Sequence, residues 1–172
     1  MAVSQPGEVG SPIAVTEDEL RRLLRDALAA EADPSIGFVW QDLDNELAVH
    51  SLELRVALRE GLLLAALPVQ CDQARTQLVV PYALGTESEP AGLIGTAETA
   101  ARGADPLVVA VWGPTAVAAV WIAFRQVCET VAARAGEDAH CCPMLPGAVW
   151  ASHGVLRVVP QARHAIDRAA RS

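Results

Sequence analysis

Residues 136–147, GEDAHCCPMLPG, place His140 directly before Cys141 and Cys142 in a segment closed by prolines. Imidazole nitrogen and thiolate sulfur are the ligands of structural zinc, and a thiolate beside an imidazole is the nucleophile–base pair of cysteine catalysis. The spacing serves neither chemistry well. A zinc site takes about four ligands in a tetrahedron, commonly from a C-x₂₋₄-C hook, whereas three consecutive side chains diverge. His140, Cys141 and Cys142 are the candidate ligands, and Cys71, His50 or His153 would have to complete the set through the fold. A vicinal Cys141–Cys142 disulfide needs strained dihedrals, which would suit a redox sensor rather than a structural bond. For catalysis, Cys141 or Cys142 with His153 as base are the candidates, and the sequence shows no third group to orient the base. Cys128 falls on an apolar helical stripe and reads as a small packed hydrophobe. The simplest reading of the loop is thiols without chemistry, so no catalytic residue, metal or cofactor is assigned.

Other chemistries leave less trace. There is no G-x-S-x-G elbow for a hydrolase serine, and a chain without a single lysine cannot form a Walker-type phosphate loop. Asp42, Asp44 and Glu46 would suit a hard cation, but three acids around a strand end read first as a solvated turn. Trp40, Trp112, Trp121 and Trp150 all belong to apolar stretches; they are candidate pocket walls, with core packing as the ordinary explanation.

The chain has 172 residues, of which 52% are hydrophobic, and a net charge of −8 from 21 acidic and 13 basic residues. Every basic residue is arginine, a bias that fits a GC-rich bacterial coding sequence. A nucleic-acid surface needs clustered cations facing phosphates. Here Arg21, Arg22 and Arg25 share their helix with Glu17, Asp18, Glu19 and Asp26, so no nucleic-acid partner is expected. The N-terminus lacks a basic start followed by an apolar run, and a cytoplasmic location with reduced thiols is the expectation.

These residues must be held by readable elements. Residues 1–15 look like a flexible arm, and residues 16–172 like a single α+β domain with a long loop at 85–105. Thr16 and Glu19 form a capping box, Val15 and Leu20 a hydrophobic staple, and Leu20, Leu23, Leu24, Ala27 and Leu28 one helical stripe. A short strand follows at IGFVWQDLDNE, with Asp44-Asn45 as a turn, and another at SLELRVALRE, where alternation points Leu52, Leu54, Val56 and Leu58 inward with His50 in register. LLLAALPVQ and TQLVVPYAL continue the antiparallel meander, with Pro68 and Pro81 expected at an edge or bulge.

Residues 106–124 run without a charge, long enough to span a bilayer. Gly113-Pro114 divides them, and proline disfavours helix in the residue before it. The expectation is therefore a buried strand, PLVVAVW, a corner, and a helix from Thr115 that is apolar nearly all round, with no membrane span. A hairpin turning at Ser152-His153-Gly154 and a short helix from Gln161 complete the chain. The sum is an antiparallel or mixed sheet of about five to seven strands, backed by an N-terminal amphipathic helix, a long central apolar helix and a short C-terminal one. An all-round apolar helix must be covered on more than one side. With no credible catalytic set, the chain reads as a non-enzymatic binding or assembly module, homodimeric, with a cysteine-dependent enzyme or a redox or metal sensor built on residues 140–142 as the alternative.

Overall fold

The computed structural model describes residues 10–29, 38–42, 45–71, 74–93, 99–135 and 144–162. Within them the chain is α+β, with antiparallel strand pairing throughout the named strands and two long helices. The first strand, β1 (Ile13–Thr16), pairs with the last, β9 (Val155–Ala162), so the residues just before the first helix are an edge strand rather than part of an arm. Thr16 ends β1 and caps helix α1 (Glu17–Leu28): its hydroxyl accepts from the Glu19 amide at 3.3 Å. The carboxylate of Glu19 does not close the capping box. It reaches Arg134 at 2.8 Å on the second helix instead. Val15, Leu20 and Leu24 are fully buried, which ties α1 into the core.

A six-stranded sheet supplies one wall of that core. Its strands are β2 (Phe38–Asp42), β3 (Asn45–Val49), β4 (Arg55–Arg59), β5 (Leu62–Cys71), β6 (Ala74–Ala83) and the two-residue β7 (Arg102–Gly103). β5 is central: one side takes all of β6, and the other takes β4 along residues 62–66 and β3 at residues 69–70. Pro68, which has no amide hydrogen to give, sits in the gap between those two partners. Its carbonyl still accepts from the His50 amide. Pro81 lies beyond the end of β7's pairing with β6, again where no outer donor is needed.

The second sheet has three strands, in the order β1, β9, β8 (Met144–Ser152). The β8–β9 hairpin turns at His153 and Gly154, with φ of 50° and 76°. Two successive left-handed residues are what a two-residue type I′ hairpin needs. Isolated bridges from Gly85 to Trp150 and from Ala91 to Val149 tie β8 to the segment after β6, so the two sheets share one core. The single sheet expected from sequence is thus two.

The largest correction concerns residues 106–134. They form one α-helix, α2 (Pro106–Arg134), with Pro114 inside it and no corner at Gly113. Asp105 starts it, its carboxylate accepting from the amides of Leu107 and Val108 at 2.9 and 3.2 Å, and Pro106 occupies the first turn, where its missing amide costs nothing. Pro114 does cost the helix the bond to the Ala110 carbonyl. Burial of Val108, Trp112, Ala116, Val120, Phe124, Val127 and Val131 along one continuous face offsets that loss. A strand broken from a helix at residue 113 would scatter this face.

Other expectations fail locally. Ser51–Glu53 is a 3₁₀ turn, not strand, and it turns Leu52 out to solvent while Leu54 and Leu58 stay buried. β3 was not foreseen. Gln161 and Ala162 belong to β9 rather than to a terminal helix, and the rest of that expected helix lies outside the described residues.

Candidate functional site

Helix α2 has two apolar faces, and the core covers one. Its inner face packs on β6, β8, β9 and α1. On the opposite side Leu107 is 77% exposed, Val111 45% and Ile122 57%, with Ala110, Pro114, Thr115 and Ala118 exposed between them. Positions 107, 111, 114, 118 and 122 recur at three- and four-residue intervals, so they form one strip along the helix. By the rise of an α-helix the strip is about 22 Å long. It ends where the same face turns polar, at Arg125, Gln126, Glu129 and Thr130, with Arg125 paired to Glu129 at 3.2 Å.

Beside the strip runs a half-open apolar groove of about 480 Å³, walled by Tyr82, Ala101, Val109, Pro114, Val117 and Trp121 among others. Tyr82 comes from β6 and is buried; its hydroxyl donates to the Val117 carbonyl of α2. Burial in these apolar surroundings pushes the Tyr82 phenol well above its ordinary ionisation range, although a backbone hydrogen bond at Trp121 works the other way. Trp121 leans on Tyr82, ring centroids 5.4 Å apart, and on Phe124 at 6.0 Å, which fixes the indole as one wall. Apart from the Tyr82 phenol, the described residues of the lining carry no carboxylate, imidazole, guanidinium or thiol.

The residues singled out from sequence do not converge. Trp121 lines the groove; Trp112 is buried and stacks with Trp40 at 6.5 Å elsewhere, and Trp150 is buried in β8 with its indole nitrogen unpartnered among the described residues. His153 sits in the β8–β9 turn with Nδ1 at 2.6 Å from the Ser152 hydroxyl. His50 is half-buried and leads the 3₁₀ turn. Cys128 is fully buried on α2, and desolvation, with a lesser push from Glu129, holds its thiol far above the range in which a thiolate forms. Glu46 accepts from the Gln41 amide at 3.0 Å, and Asp44 lies outside the described residues. So do His140, Cys141 and Cys142. Among the described residues no three of His, Cys, Asp and Glu stand close enough together to hold a metal.

Sequence reasoning found Trp121 but missed Tyr82, Val109, Pro114 and Val117. The signal was present: the three- and four-residue spacing runs unbroken from 107 to 122 and is seen once Pro114 is allowed inside the helix. Comparison of the chain with known protein families, curated proteins and solved structures yields no match.

Proposed function

We propose that this protein is a non-enzymatic assembly module whose working surface is the open face of α2, and that it works as a homodimer. The observation that carries the reading is the apolar strip of Leu107, Val111 and Ile122 on a helix whose other face is already in the core. The largest apolar patch on a soluble protein is often a functional contact site. The reading does not rest on the described cysteines or on His153: Cys128 is sealed in the core, Cys71 is a free thiol at the end of β5, and His153 pairs with its neighbour in a turn.

A membrane is the competing cover, because α2 is long and apolar enough to cross one by length and composition. Yet 39% of its most apolar window is buried against the rest of the chain. A helix that spans a bilayer with β6, β8 and β9 fastened to it would carry open sheet edges into lipid, where their backbone groups have no partners. Light scattering of the purified protein at tens of micromolar tests the reading. A dimer is expected, and Ile122→Asp, which sets a charge in the strip at a position 57% exposed, is expected to yield folded monomer. A wild-type monomer refutes it.

A further inference from the structure

Resting on that reading of α2, we infer that the second copy lies antiparallel on the strip, with the two-fold axis passing beside Pro114 and Thr115. The strip is self-complementary in that orientation alone. Reversing it about its midpoint lays Leu107 on the partner's Ile122, Val111 on the partner's Ala118, and Pro114 on the partner's Thr115, so that the two Thr115 side chains flank the axis. Large side chains meet at the two ends, and each Val111 settles over a small residue. A parallel pair would set Leu107 on Leu107, Val111 on Val111 and Ile122 on Ile122, leaving the small stretch at 114–118 as a void. Close packing penalises that void.

The ends fix the register. Sliding the copies by one turn either lays Leu107 on the polar Gln126 or draws Ile122 beyond the partner's strip. Antiparallel helices also set opposite dipole ends side by side, which parallel ones do not. Strip and adjoining groove together present on the order of 400 Å² of apolar surface, given a length of about 22 Å and a width of about two helix radii plus the groove. A specific interface buries roughly 800 Å² per partner, a little over half of it apolar. One second copy is therefore enough to cover this face.

The test separates the arrangement from self-association itself. In a background with Cys71, Cys141 and Cys142 changed to serine and the buried Cys128 kept, Thr115→Cys and Leu107→Cys are each oxidised with a mild copper catalyst. Light scattering of the unoxidised proteins runs beside them. A dimer in which Thr115→Cys links to itself, Leu107→Cys does not, and a mixture of Leu107→Cys with Ile122→Cys does, is the expected result. A dimer in which Leu107→Cys links to itself, whether or not Thr115→Cys does, overturns the antiparallel register but leaves self-association standing. A monomer overturns both, and its flotation with phosphatidylcholine vesicles would assign the strip to lipid instead.

Discussion

Replacing Pro114 by alanine decides how residues 106–134 are folded, because the two possibilities predict opposite signs. Inside a continuous helix, proline removes the amide that would bond the Ala110 carbonyl and crowds that carbonyl with its ring, a cost of about 3 kcal/mol in a helix interior. Proline also stiffens the unfolded chain, worth about 0.4–1 kcal/mol, and alanine gives that up. The net for Pro114→Ala is a gain of about 1–2 kcal/mol once relaxation of the neighbouring turn is allowed for. For a chain of this size each kcal/mol moves the midpoint by about 2–4 °C, so Tm rises by about 2–8 °C. If Gly113-Pro114 were a corner with proline opening a helix at Thr115, its fixed φ would be an asset and alanine would lower Tm. Thermal melts followed by tryptophan fluorescence, at two protein concentrations to separate any change in self-association, read the sign directly. A fall in Tm independent of concentration refutes the single helix and, with it, the strip.

Two further perturbations test the elements that position the strip. Asp105→Ala removes a carboxylate that accepts from two amides at the start of α2 and should destabilise by about 1 kcal/mol, seen as a lower urea midpoint with an unchanged slope. Burial favours the neutral Tyr82 phenol, so its ionisation in the folded protein lies above the unfolded value near 10. Its contribution is complete below about pH 10 and is lost as pH climbs toward the folded value, and the buried Cys128 thiol adds a loss of the same sign from about pH 8.5 upward. Urea midpoints should therefore fall above pH 9. In Tyr82→Phe, which forgoes the bond to the Val117 carbonyl at a cost of about 1 kcal/mol, the fall above pH 10 should be shallower; an equal slope would contradict the burial of the hydroxyl.

Much of the fold was legible because local chemistry and tertiary need agreed. Thr16, the leucine stripe of α1 and the strands at 62–71 and 74–83 each carry a pattern that packing then rewards. The His153-Gly154 turn was legible as well, since its left-handed residues follow a run of alternating strand. Failures came where a local rule lost to packing. Pro114 reads as a breaker in isolation, yet seven buried side chains on one helical face outweigh one missing bond. Likewise Ser51-Leu52-Glu53 alternates like a strand, but the chain must turn there, because β3 and β4 both pair with β5 from the same side. No alternation rule encodes that crowding. The working surface was missed for the same reason as the helix: with the chain cut at residue 113, Leu107 and Ile122 belong to different elements and never line up.

Those two errors have one consequence for what α2 does. Read as strand plus helix, the apolar excess of residues 106–124 is shared between two buried elements, and nothing is left over. Read as a helix, only about half its circumference can face the sheet, so the excess must surface on the other side; Leu107, Val111 and Ile122 are that excess. The position of the polar break distinguishes the possible covers. Lipid would ask for an apolar girdle all the way round over about 20 residues. α2 instead keeps its inner face apolar through Val127, Cys128 and Val131, where the sheet and α1 continue, while its outer face turns to Arg125, Gln126 and Glu129 after Ile122. The two faces stop being apolar at different residues, so each answers to a different neighbour. The inner neighbour is the protein's own core. On the proposed reading the outer neighbour is a second copy turned end for end, meeting a strip about 22 Å long that gives way to Arg125 and Gln126.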